Sequence, residues 1–225
     1  MRDIVIDKII RSKRRTLGLH ISSDARLIIR APERLSLETI RKIVARKHVW
    51  IQRKQQEIHR NAALRPVKKF NEGEQFLFQG QWCTLRYTDP PSPVFEFNNN
   101  EFLLARQYAA QARSLLAGWY QRQAAAVIPQ RVDYYSRRAG IRYARITVNN
   151  AKTRWGSCGH QATLNFSWRL VMCPPAVLDY VVAHELAHVE VRNHSSQFWE
   201  CVSRLFPDYY SCRLWLKHNT HLLGL

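Results

Sequence analysis

The sequence predicts an α+β protein with a β-rich N-terminal half that contains one long basic helix. Its C-terminal half is expected to hold a small antiparallel sheet packed on a histidine-bearing helix. Apolar and polar residues alternate in short runs before residue 106, as in half-buried strands. An Ala-rich helical stretch begins near Gln107. A later apolar run leads into HELAH, which spans residues 184–188.

The N-terminal half, residues 1–106, is predicted to be strands around one helix. The runs IVIDKII, LGLHIS and LIIRA fit short strands. An apolar stripe with Lys and Arg between its members predicts a helix from about residue 36 to 60. Ser36 is its expected N-cap, and Glu38 lies in its first turn. QFLFQG, QWCTLRYT, VFEF and FLLA predict two hairpins after this helix.

The C-terminal half, residues 107–225, is predicted to begin with a helix that Pro129 kinks or divides and Gly140 ends. RITVNN, TRWGSC and TLNFSW then predict three short strands. Tight connections at Asn149-Asn150 and Gly159-His160 favour an antiparallel order. Pro174-Pro175 opens the helix that carries HELAH.

The HELAH segment has the spacing of a zinc-binding helix. His184 and His188 are four residues apart, so a helix projects both imidazoles from one face toward one ion. Glu185 is rotated about 100° from His184 and would hold a water beside the metal. This HExxH pattern predicts two zinc ligands, with Glu185 as general base.

Two residues are candidates for a third ligand. His194 lies six residues after His188, which is the spacing of extended HExxH sites. The Gly of that extended pattern is replaced by Val191, so we expect Asn193, in a left-handed conformation, to turn the chain. Glu200 is the rival ligand, and His194 is preferred.

The net charge of +18 is concentrated in the first third of the chain. Residues 1–70 hold 19 Lys and Arg against 6 Asp and Glu. This excess predicts either a polyanion partner, such as nucleic acid, or a solvated basic face. The sequence contains neither a secretory apolar segment nor an apolar run of membrane-spanning length, so no membrane association is expected. The five irregularly spaced cysteines predict free thiols in the cytoplasm.

Four motifs in order give the sequence a family resemblance. KTRWGSC, LNFSWRL, DYVVAHELAH and NHSSQFW together resemble the YgjP-like metallopeptidase-domain family, whose members are minigluzincin-like zincins. The resemblance implies zinc, one ion per chain, held by His184, His188 and His194, with Glu185 as general base. It also implies a zincin-like domain in which a three-stranded sheet offers an edge strand to the substrate.

The substrate is less well defined by the sequence. The resemblance implies peptide hydrolysis by a zinc-bound water that Glu185 activates. A nucleoside triphosphate pyrophosphohydrolase is an alternative, because the same chemistry attacks phosphorus and a basic chain attracts nucleotides. A basic RNA- or ribosome-associated protein with a structural zinc is a second alternative. Arg154 and Trp155 are candidate substrate contacts, although Trp155 is also explained by packing.

Overall fold

The computed structural model describes residues 4–22, 24–64, 67–90 and 92–225. The chain separates into two compact units, residues 1–66 and residues 67–225. The second unit starts earlier than the boundary at residue 106 that the sequence predicted. The reason is packing, because the strands between residues 75 and 105 share one apolar core with the helices that follow them.

The first unit packs two helices on a three-stranded mixed sheet. The central strand of the sheet pairs in parallel with the first strand and antiparallel with the second. Buried residues of the central strand and of both helices form one small core. The elements are β1 (Lys8–Ser12), β2 (Gly18–Ile21), β3 (Leu27–Pro32), α1 (Leu37–Arg46) and α2 (His48–Leu64).

The single long helix predicted over residues 36–60 is two helices. Ser36 caps α1 as predicted, because its side chain accepts a hydrogen bond from the Thr39 amide at 3.1 Å. The helix ends at Arg46, and Lys47 is its C-cap. There His48 Nδ1 lies 3.0 Å from the carbonyl oxygen of Ala45 and satisfies an acceptor of the last turn. Local apolar periodicity continues through this break and does not reveal it.

The second unit begins with a four-stranded sheet. Two hairpins are joined through their inner strands, which pair in parallel. Gln79-Gly80 and Asn99-Asn100 have positive φ values and form the tight turns of the two hairpins. Within the described residues, the strands are β4 (Gln75–Phe78), β5 (Gln81–Thr88), β6 (Phe95–Asn98) and β7 (Glu101–Ala105).

A long helix joins this sheet to the rest of the unit. Helix α3 (Ala112–Ala139) runs through Pro129 without dividing. It ends at Gly140, whose φ of 69° is left-handed, as predicted. The phenol of Tyr120 on α3 donates to the Leu77 carbonyl at 2.7 Å and ties the helix to β4.

The small C-terminal sheet is mixed, which corrects the antiparallel order predicted for it. Its strands are β8 (Arg145–Asn149), β9 (Gly156–Cys158) and β10 (Thr163–Ser167), in the order β8-β10-β9. β10 pairs antiparallel with β9 and parallel with β8.

Side-chain hydrogen bonds explain why no hairpin forms after β8. Asn150 Oδ1 accepts from the indole of Trp168 at 3.0 Å, and Ser167 Oγ donates to the Ala151 carbonyl at 2.8 Å. These contacts hold the chain after β8 at the end of β10. The chain then continues to β9 at the far edge of the sheet.

Three helices complete the second unit. They are α4 (Pro175–Glu190), α5 (Ser196–Leu205) and α6 (Tyr209–Asn219). Their buried residues join those of β10 and α3 in one core. Among the described residues, no helix is both long and apolar enough to cross a membrane.

Candidate metal centre

Helix α4 carries the first two histidines of the candidate site. Pro175 opens the helix at a position where a missing amide costs nothing. Most of its residues are buried in the core of the second unit, which fixes the orientation of the helix. His184 and His188 are one turn apart and half-buried, and their ring centroids lie 4.9 Å apart.

Helix α4 ends at Glu190. The chain then turns back, so that His194 comes close to His184 of the helix. Val191 is extended, with φ −126° and ψ 109°. The side chain of Asn193 accepts from the Ser195 amide at 3.3 Å, just before α5 begins. Asn193 is not among the described residues with positive φ, so it contributes a side-chain acceptor instead of the left-handed turn that we predicted.

Phe198 supports all three histidine rings. It is fully buried on α5. Its ring centroid lies 4.4 Å from that of His188, 4.7 Å from that of His194 and 4.9 Å from that of His184. One aromatic side chain therefore restricts the positions of the three imidazoles together.

The three histidines form a compact group of candidate ligand atoms. One ring nitrogen from each lies within 4.8 Å of the others. The Nε2 atoms of His184 and His194 are 3.2 Å apart. Two nitrogen ligands of a tetrahedral zinc, each about 2.0–2.1 Å from the ion, lie about 3.3 Å apart. The spacing of this pair therefore fits zinc.

The protonation of the group also fits a cation. Burial, with smaller contributions from the neighbouring histidines, lowers the pKa of His184 to about 3. Burial likewise lowers the pKa of His188. Neutral imidazole is the form that binds metals. His188 Nδ1 lies 3.1 Å from the Val191 carbonyl, which can only accept, so the proton belongs on Nδ1 and Nε2 can bind metal.

Glu185 lies buried beside the histidines, against the small sheet. Its side chain is buried, and its Oε2 atom has no hydrogen-bond partner among the described residues. Burial raises the pKa of Glu185 to about 8, against an opposing effect of the positive charge of Arg154. A cation bound nearby would favour the ionised carboxylate.

The other acidic candidates lie elsewhere. Glu200 is exposed on α5 and is not in the histidine group found among the described residues. Glu190 accepts hydrogen bonds from Cys201 at 3.1 Å and Arg204 at 3.0 Å. Asp179 forms a two-point ion pair with Arg131 of α3, at 2.6 and 2.7 Å. These contacts tie helices together, and none of them involves an imidazole.

Gly156 allows β9 to approach Glu185. A β-carbon placed on Gly156 would lie 2.5 Å from Glu185 Oε1 and 2.6 Å from its Cγ. Real β-carbon atoms essentially never come this close to another heavy atom. Gly156 of the WGSC motif thus permits the close backbone approach that its sequence suggested, and its neighbour is the candidate base.

We expect Gly156→Ala to lower the free energy of unfolding by about 1–3 kcal/mol, because the added methyl would overlap the buried side chain of Glu185. Urea unfolding would measure the loss. Gly159→Ala in the same hairpin is a matched control, since its nearest contact would be an ordinary 3.6 Å. Equal stability of the two variants would contradict this close approach.

Arg192 is a residue that the sequence did not single out. It lies between His188 and His194, and its guanidinium donates to the carbonyls of Gly159 at 2.8 Å and His160 at 3.0 Å. It therefore joins the segment between two candidate ligands to the turn that follows β9. The sequence gives little indication of this contact, because the acceptors are backbone atoms more than thirty residues away.

We expect Arg192→Ala to loosen the turn after β9, because two hydrogen bonds worth about 1 kcal/mol each are lost. Amide exchange should become faster at Gly159 and Ala162, which are both bonded within this turn. Arg192→Lys, which keeps the charge but not the fork, should show an intermediate effect. Unchanged protection in Arg192→Ala would rule out this role.

The two candidate substrate contacts lie at the end of the small sheet. Arg154 is exposed, and Trp155 is half-buried against the core. Both line a cavity of about 390 Å³ that Gly156 also borders. None of the three histidines lines this cavity. Arg154 is nevertheless near enough to Glu185 to act on it electrostatically.

These features define an α+β protein with a three-histidine group suited to a metal ion. A sequence profile of the family described as YgjP-like, metallopeptidase domain, matches residues 15–219. The chain therefore belongs to this family, which confirms the resemblance seen in its motifs and makes it a metallopeptidase-domain protein.

The comparison with solved structures gives one further similarity. The crystal structure of the metallopeptidase zymogen of Pyrococcus abyssi abylysin matches with a TM-score of 0.37 and 19% sequence identity. The match covers 40% of this chain and 94% of that chain. No curated protein sequence matches the chain.

Proposed function

We propose that this protein is a zinc-dependent metallopeptidase with a zincin-like catalytic domain. The observations that carry the proposal are the three-histidine group and the neighbouring residue in sequence, Glu185, whose buried side chain packs against Gly156 of the edge strand β9. Membership of a metallopeptidase-domain family supports a metal-dependent hydrolase. His184, His188 and His194 would hold one zinc ion per chain, which leaves a tetrahedral ion one open position.

The metal ion and the side chains of the protein would each supply part of the reaction chemistry. When bound, zinc would supply Lewis acidity and lower the pKa of water to about 7. Glu185 would accept the proton of the attacking water at its carboxylate and donate it to the leaving amine. Its burial keeps bulk water away and keeps the carboxylate in one place. The neutral imidazoles suit a role as ligands and not as acids.

The edge strand supports a peptide as the substrate. Within the described sheet, β9 pairs with β10 on one side, so its other side has main-chain groups available for pairing. An extended peptide can add to such an edge through main-chain hydrogen bonds, which suit many sequences. Gly156 would bring this peptide beside Glu185. The nucleotide and RNA alternatives are not supported by the family match.

The experiment is incubation of the zinc-loaded protein with unstructured peptides, followed by mass spectrometry of the fragments. Cleavage that disappears with a chelator and returns with zinc supports the proposal. Intact peptides in the presence of stoichiometric zinc would contradict it.

A further inference from the structure

The cavity beside β9 is lined by polar residues and by one positively charged side chain. Among the described residues that line it, Arg154 is the charged member, and none is acidic. Asn149, Ser157 and Asn165 add hydrogen-bonding side chains. Within the described part of the chain, Arg154 makes no hydrogen bond or ion pair, although its positive charge acts on Glu185. An exposed guanidinium beside amide and hydroxyl groups suits a planar anion such as a carboxylate.

The cavity is lined by two neighbouring residue pairs of β9 and β10, Gly156 with Phe166 and Ser157 with Asn165. Gly156 pairs with the buried Phe166, and both face the core, where Glu185 lies. Ser157 pairs with Asn165 one residue further along, so this pair faces the opposite side of the sheet. The side chains of Ser157 and Asn165 therefore line the cavity from the face opposite to Glu185.

A peptide added to β9 would place its side chains alternately on these two sides. Residues beside Gly156 would face Glu185, whereas the residue beside Ser157 would face the cavity. The volume of about 390 Å³ lies within the range of small-ligand sites and exceeds that of a carboxylate side chain.

We propose that this cavity is a substrate subsite for one acidic side chain, Asp or Glu, of an extended peptide paired with β9, and that Arg154 binds its carboxylate. The inference rests on the proposed function and adds a specificity to it. The preference applies to a single position of the peptide, because the neighbouring side chains face the other side of the sheet.

Binding to a protein that cannot turn over tests the subsite separately from catalysis. The full chain with Glu185→Gln, loaded with zinc, is titrated into fluorescein-labelled peptides while anisotropy is measured. The peptides carry one Glu at successive positions, and each is matched by a peptide with Gln at that position. We expect one position at which the Glu peptide binds about five- to tenfold more tightly than its Gln partner.

Second-site variants assign the preference to a side chain. Adding Arg154→Ala should bring the Glu-to-Gln affinity ratio to about one, while Arg154→Lys should restore part of it. Adding Lys152→Ala is the matched control, because Lys152 is an exposed cation of the same segment that does not line the cavity. Its ratio should stay unchanged.

Several results would overturn the subsite. These are equal binding of Glu and Gln peptides at every position, a preference that survives Arg154→Ala, or one that Lys152→Ala removes equally. Displacement of the Glu peptide by ATP at lower concentration than by unlabelled peptide would also overturn it, in favour of a nucleotide. Cleavage of Gln peptides by the unsubstituted protein would show that peptidase activity stands even where the acidic preference fails.

Discussion

His184→Ala and His188→Ala are each expected to lose stoichiometric zinc, whereas the unsubstituted protein should hold about one zinc per chain. Each substitution removes one of three nitrogen donors that the fold brings within 4.8 Å of one another. The affinity should fall by more than about 100-fold, because even changes to groups that only orient a ligand cost about 10- to 100-fold. Competition with a chromogenic chelator would measure this loss.

His218→Ala is the matched control for these variants. His218 is exposed on α6 and does not belong to the histidine group. Its removal should leave the zinc content unchanged. A His184→Ala protein that is folded, as judged by circular dichroism, and still holds one zinc per chain would show that the ligand assignment is wrong.

Glu185→Gln is expected to keep its zinc and lose about 10²- to 10⁴-fold of its peptide turnover. Gln has nearly the shape of Glu, so the contact with Gly156 is retained. It cannot accept a proton from water, so a general base is lost while the ligands stay in place. Turnover by each protein at equal zinc occupancy is the measurement.

Glu200→Gln provides the corresponding control. It changes an exposed carboxylate of α5 that lies outside the histidine group. Its turnover should match that of the unsubstituted protein. Equal turnover by the Glu185→Gln and Glu200→Gln proteins would remove Glu185 as the base.

The parts of the site that follow from local geometry were predictable from the sequence. The positions of His184 and His188 depend only on the helical repeat, which the apolar run before them already indicated. The end of α3 at Gly140 and the cap of α1 at Ser36 likewise depend on neighbouring residues. These features need no knowledge of distant contacts.

The parts that depend on distant contacts were not predictable in this way. The parallel pairing of β8 with β10 follows from side-chain bonds of Asn150 and Ser167 to partners elsewhere in the chain. Arg192 donates to a backbone carbonyl of a turn that is distant in sequence. The need for glycine at position 156 follows from its contact with Glu185. Composition and hydrophobic periodicity do not predict contacts between residues that are far apart in the sequence.

The most direct test of the account is a substrate panel for the zinc-loaded protein. An unstructured peptide library and a set of nucleoside triphosphates are offered to the same preparation, with the Glu185→Gln protein in parallel. We expect peptide fragments from the unsubstituted protein, none above background from Glu185→Gln, and intact nucleotides with both. Pyrophosphate release that depends on Glu185, with the peptides left intact, would contradict the assignment as a peptidase.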